Sequence, residues 1–253
     1  MATETLTALA TALADGEVRI VDLTQPLSER TPVLQLPPPF ANTPGLSRET
    51  ISEFDDRGPA WAWSTLTVGE HVGTHFDAPI HWITGRDGED VASVPPAKLV
   101  APAAVIDKSA EAAADPNYVL TLADVQAWES EHGPLPEGGW VFLRTGWDSR
   151  AHDQDAFLNG GQTPGPDVEC ARWMAEESGI VGLGVETVGT DAGMAHSFDP
   201  AFPAHHFLLG AGKYGLTQLA NLAELPPTGA VVVVAPLKLV RGTGSPTRVF
   251  ALV

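Results

Sequence analysis

The chain has 253 residues, and 14 Lys and Arg stand against 32 Asp and Glu, for a formal charge of −18. That balance argues against nucleic acid and anionic membrane surfaces as partners, because both are bound through clustered cations. Hydrophobic residues at 43% can bury a core, and a single cysteine, Cys170, excludes an intrachain disulfide and a cysteine-based zinc cluster.

The first residues, MATETLTALATALADGEVRI, lack the cationic start of a signal peptide and carry acids in their apolar stretch. They predict an amphipathic helix with Thr3 as N-cap and Gly16 just past its end. Val18 to Leu23 reads as a strand. A long proline-rich stretch, Pro32 to Pro59, follows; loops of that length belong to a site or an oligomer contact when they are not inert. Trp61 to Val68 has strand periodicity. Leu99 to Asp107 is strand-like, and a helix with Thr121 as N-cap runs to Gly133. Trp140 to Thr145 is a buried-type strand. A helix starting at Pro166 runs through Met174 and ends by Gly179, with Cys170 inside it as a buried small hydrophobe. Ile180 to Val185, Ala230 to Pro236 and Arg248 to Val253 complete the strands. Short apolar strands alternating with helices predict an α/β fold with a covered sheet. No break in composition divides the chain, so residues 1–253 read as one domain. No apolar run approaches the roughly 20 residues of a membrane helix, and the cytoplasm is the expected location.

The chemistry concentrates in HVGTHFDAPIH, which holds His71, His75, Asp77 and His81. On a helix, Asp77 would point about 200° away from His75; on an extended backbone all four odd-numbered residues share one side. Gly73 and Pro79 also disfavour a helix. Two imidazoles and a carboxylate suit zinc, manganese or iron. A histidine left over from ligation is placed for proton transfer near neutral pH, and His81 is the candidate. Trp82 beside it, and Trp61 and Trp63 on the preceding strand, are candidates for packing a flat substrate. No Gly-x-Ser-x-Gly elbow or phosphate loop is present, which argues against a serine hydrolase or a nucleotide enzyme. Glu186, Asp191 and His196 read as ordinary loop polarity outside the site. Lys213, Tyr214 and Arg248 have no evident partner.

HVGTHFDAPIH resembles the defining motif of the cyclase family of metal-dependent hydrolases, which includes bacterial kynurenine formamidase and isatin hydrolase. The similarity extends through VRIVDLTQPLSERTPV, VFLRTGW, GIVGLGVETVGTDAG and HHFLLGAGKYGLTQLANL. It implies a single-domain swivelling β/β/α fold, hydrolysis of a cyclic or open-chain amide, and a homo-oligomer, dimer or tetramer. The family's ligands fall on His71, His75 and Asp77, and its base on His81. The family's second metal segment has a histidine followed twelve residues later by a ligand glutamate. Here that spacing runs from His206 to Gln218, with His205 as a rival ligand; on a strand the two would face opposite ways.

A glutamine in place of a bridging carboxylate cannot neutralise two close divalent ions. The resemblance therefore implies one metal, manganese favoured and zinc the alternative. The expected chemistry is opening of a small lactam or imide by a metal-activated water, His81 taking a proton and returning it to the departing nitrogen. The rival enzymes are an arylformamidase acting on N-formylkynurenine and a lactone hydrolase or polyketide-type cyclase. A metal- or small-molecule-binding module without turnover is the non-enzymatic reading.

Overall fold

The computed structural model describes residues 2–253. Its strands are β1 (Ile20–Asp22), β2 (Ser47–Glu53), β3 (Ala62–Thr67), β4 (His75–Asp77), β5 (Val100–Asp107), β6 (Val119–Leu120), β7 (Trp140–Arg144), β8 (Gly165–Pro166), β9 (Gly182–Val185), β10 (Tyr214–Thr217), β11 (Ala230–Pro236) and β12 (Gly244–Leu252). One mixed sheet has the order β1-β12-β11-β5-β7-β9-β10-β4, and β12 also pairs with β4, which closes it into a barrel. The long β12 makes closure possible. Its start, Gly244 to Pro246, pairs with β4, and Thr247 to Leu252 pairs with β11.

Side-chain alternation divides the core in two. Ala103 and Val105 of β5 and Trp140 and Phe142 of β7 point to one side, with Phe76, Leu216, Val232 and Val249. Ala104, Ile106, Val141 and Leu143 point to the other, where Val125, Trp128, Cys170 and Met174 from two helices cover them. The helix Leu122–His132 begins with the predicted cap: Thr121 Oγ1 accepts from Asp124 N, and Thr121 N donates to the Asp124 carboxylate. The helix Val168–Glu176 starts later than predicted. Asp167 caps it by accepting from Cys170 N at 2.7 Å, while Pro166 pairs in β8 with β6. The first helix, Ala2–Ala14, contains Thr3 rather than being capped by it.

The proline-rich stretch is not loop throughout, because β2 lies within it and pairs antiparallel with β3. This ribbon is a separate two-stranded sheet, not hydrogen-bonded to the barrel strands. Only Ser52 is buried in β2 and nothing is buried in β3.

Three residues of β4 place the functional side chains. β4 lies between β10 and β12, with His75 opposite Thr217 and Pro246, and Asp77 opposite Gly215 and Gly244. Phe76 points into the core against Trp140 and Tyr214, so His75 and Asp77 share the other face.

Candidate metal centre

His71 enters from the turn before β4 and His81 from the short helical turn Pro79–His81 after it. The ligand atoms of His71, Asp77 and His81 all lie within 4.8 Å of one another. His71 Nδ1 is 2.8 Å from Asp77 Oδ1, and its Nε2 is 2.9 Å from Thr243 Oγ1. The His71 and His81 rings stack at 3.9 Å between centroids. Thr243 is held in turn by Glu70, whose carboxylate accepts from Thr243 N at 3.0 Å and from its hydroxyl at 2.5 Å. His75 Nε2 is 3.4 Å from the same Asp77 oxygen, and its Nδ1 donates to Gly73 O at 2.7 Å. The Thr217 hydroxyl contacts the His75 ring at 2.9 Å.

Burial dominates the electrostatics. It pushes His75 down to about 4 and His81 down to about 3, with Asp77 opposing and the neighbouring imidazoles reinforcing. Both rings are therefore neutral at pH 7 and keep a lone pair for a metal or a proton. Burial raises Asp77, but His75 and His71 outweigh it and hold the carboxyl well below its usual range.

The donor set fits a divalent cation. Imidazoles and a carboxylate are present, and Gln218, the residue after the Thr217 that contacts His75, carries a buried Oε1 with no hydrogen-bond partner among the described residues. The Gln218 backbone is fixed at φ 54°, its N–H donating to Thr187 O and its carbonyl accepting from Thr74 Oγ1 at 2.6 Å. Two glycines shape the floor. A Cβ on Gly244 would sit 2.4 Å from His71 Cε1, and one on Gly215 would sit 2.8 Å from Asp77 Oδ2.

The second segment differs from the strand expected of it. His205–Leu209 forms a wide, π-type helical turn, so His205 and His206 are not on opposite faces. His205 reaches the site: its ring lies 5.6 Å from His81 and 4.8 Å from Trp82. Its Nδ1 is 2.5 Å from Asp191 Oδ2, and the other Asp191 oxygen accepts from Ala204 N. Burial lowers the His205 pKa, and Asp191 more than offsets it, so the net shift is upward. The His206 ring instead lies against Phe207, and its carbonyl accepts from Thr84. Trp82 packs on Phe202 and His205, at the site. Trp61 and Trp63 are half-exposed on the ribbon, and their rings contact each other, 6.3 Å apart.

Sequence reasoning missed Thr217, Thr243, Glu70 and Asp191, whose roles depend on pairings across more than a hundred residues, or on His205 in the case of Asp191. The groups without evident partners are structural. Lys213 donates to Met174 O and Ser178 O, Tyr214 donates to Glu89, and Arg248 pairs with Asp22.

Residues 21–192 match the family model described as putative cyclase. The chain belongs to the cyclase family. It is 49% identical to an isatin hydrolase from Roseibium aggregatum, over 98% of this chain and 97% of that protein. It is 27% identical to a kynurenine formamidase from Salinibacter ruber, over 76% of this chain and 87% of the relative. Among solved structures, an isatin hydrolase bound to the product analogue thioisatinate superposes with a TM-score of 0.97 at 48% identity, covering 100% of this chain and 99% of that one. The cyclase-family fold expected from the sequence is therefore present.

Proposed function

We propose that this protein is an isatin hydrolase-like amidohydrolase that opens a small cyclic amide with the help of one divalent metal, manganese before zinc. Near-complete coverage at 49% identity to an isatin hydrolase carries this reading. The formamidase relatives are more distant, and Gln218 weakens an arylformamidase assignment further, since a neutral amide cannot bridge two cations. We further read residues 1–253 as one domain of a cytoplasmic homo-oligomer. No helix among the described residues is long and apolar enough to cross a membrane.

His71, His75, Asp77 and Gln218 would hold the ion, with His205 replacing His206 as the nearby second-segment histidine. When bound, such an ion supplies Lewis-acid polarisation of a carbonyl and acidifies water. His81, neutral and stacked on His71, accepts a proton as water adds to the amide carbon. The C–N bond then breaks, and His81 returns the proton to the nitrogen. Asp191 fixes the His205 ring beside His81, so the imidazole wall keeps its orientation through the cycle. Trp82 offers a flat apolar surface to an aromatic lactam.

The test is His81→Ala. Retention of metal with a loss of turnover of about 10²- to 10⁴-fold supports a proton-transfer role, whereas loss of metal makes His81 a ligand, as its position in the donor cluster also permits.

A further inference from the structure

Both ring nitrogens of His71 face an oxygen: Nδ1 lies 2.8 Å from Asp77 Oδ1, and Nε2 lies 2.9 Å from Thr243 Oγ1. Turning the ring over about its Cβ–Cγ bond would set carbon against each oxygen and forfeit both contacts, so the orientation is fixed. Which nitrogen carries the proton then decides which can hold a metal, since only a bare nitrogen has the lone pair.

Thr243 makes that choice. A hydroxyl has one hydrogen, and Thr243 gives it to Glu70 at 2.5 Å. The same carboxylate oxygen accepts from Thr243 N at 3.0 Å, so it stands as acceptor to both groups. The Thr243 oxygen is left with lone pairs alone to offer His71, and Nε2 must donate to it. Thr243 is held in place, because its carbonyl accepts from Ala78 N at 2.9 Å and the next residue begins the pairing of β12 with β4. Glu70 is the chain neighbour of His71, so acceptor, hydroxyl and ring form one tight unit.

A ring that ligates carries a single proton. With that proton on Nε2, the bare Nδ1 of His71 turns toward Asp77, and two lone-pair groups 2.8 Å apart repel unless a cation is shared between them. His75 Nε2 is aimed at the same Asp77 oxygen at 3.4 Å, and its Nδ1 proton is taken by Gly73 O at 2.7 Å. One imidazole is thus left with Nδ1 bare and the other with Nε2 bare, and both converge on Asp77 Oδ1.

We infer that Glu70 and Thr243 are positioning residues for the metal: together they hold the His71 proton on Nε2, so that His71 binds a divalent cation through Nδ1 and His75 binds it through Nε2. The inference rests on the proposed reading that this cluster holds such an ion, and is independent of the substrate. Partners of this kind fix the orientation of a ligating ring and raise its basicity.

The test uses the full-length protein, stripped of metal. Calorimetric titration with manganese(II) or zinc should show Thr243→Val, which keeps the shape and loses the hydroxyl, weakened about 10- to 100-fold. Thr243→Ser keeps the hydroxyl and should bind close to wild type. Glu70→Gln should also bind less tightly, because its amide can hand Thr243 a hydrogen and let the hydroxyl turn toward Nε2 as a donor. Ser245→Ala is the control. That hydroxyl is buried at the same seam and bonds Leu237 N and Pro246 O, not His71, so its loss should lower the melting temperature and leave metal affinity unchanged.

Nitrogen NMR of histidine-labelled, zinc-loaded protein reads the proton directly, zinc having no unpaired electrons. His71 should show metal on Nδ1 and a proton on Nε2, and His75 the reverse. Metal on His71 Nε2, or a Thr243→Val affinity equal to wild type, overturns the inference. So does an equal loss of affinity in Ser245→Ala, which would make the effect one of seam packing. Protein that takes up neither ion overturns the metal reading and this inference together, whereas an ion bound through the other nitrogen overturns this inference alone. Isatin turnover is not among the readouts, so failure on that substrate falls on the proposed function only.

Discussion

Replacing Gly244 by alanine tests whether the glycine floor serves the ligand cluster. The added Cβ would meet His71 Cε1 at 2.4 Å and Phe76 O at 2.7 Å, against ordinary carbon contacts of about 3.5–4.0 Å. The carbonyl belongs to β4, which is paired on both sides, so the strand cannot retreat without breaking the barrel seam. The His71 ring must yield by more than about 1 Å on that contact scale, and its bonds of 2.8 Å to Asp77 and 2.9 Å to Thr243 do not survive such a shift. Disturbing the partners that orient a metal ligand typically weakens binding about 10- to 100-fold, about 1.4–2.8 kcal/mol, and overpacking costs about 1–3 kcal/mol of stability. Gly182→Ala is the matched control. There the Cβ would strike Tyr214 O at 2.4 Å and the Trp140 ring at 2.6 Å, in the core and away from the cluster. Calorimetric titration with manganese(II), alongside thermal melts, should show both variants destabilised and only Gly244→Ala weakened in metal binding. Equal metal affinity in Gly244→Ala and wild type would refute the reasoning.

Gln218→Glu restores a carboxylate and is expected to raise metal content above one per chain by elemental analysis; unchanged stoichiometry would remove the charge argument. Glu186 is buried and pushed up to about 7 by desolvation and by Asp148, against hydrogen bonds from Thr145 and Trp147. The folded state therefore holds this proton more tightly than the unfolded state, whose value is near 4.5, so stability falls as pH rises between the two values. Glu186→Gln should remove that slope and gain on the order of 3 kcal/mol relative to wild type at pH 8 compared with pH 4; parallel slopes in denaturant titrations would contradict it. Cys170 is fully buried and its thiol is pushed up by desolvation, so a thiol reagent should label it at the rate of unfolding; prompt labelling of native protein would place it elsewhere.

The strands of the sheet were legible where they are continuous apolar runs, whereas its closure through β12 and β4 was not. Leu99 to Asp107 and Ala230 to Pro236 were read nearly to the residue, because both are runs of apolar residues, many of them β-branched, with no polar interruption, even though β11 alternates buried and exposed positions. β2, SRETISE, was missed because it has one buried residue and no core face to impose a pattern. The motif His71 to His81 was legible from its spacing, although the residues converge through two turns around a three-residue strand and not along one extended edge. The strand alternation used to choose between His205 and His206 does not apply, because in a wide helical turn neighbouring side chains are separated by roughly a quarter turn or less, and the Asp191 carboxylate holds the His205 ring. Thr243 and Glu70 could not be found from sequence, since only the β4–β12 seam brings them together.

The most direct test of the account is an ultraviolet assay of manganese-loaded, zinc-loaded and metal-stripped protein on isatin and on N-formylkynurenine in parallel. The account predicts metal-dependent opening of isatin, faster with manganese, and little deformylation. Deformylation without isatin opening, or isatin opening that survives removal of the metal, would contradict it.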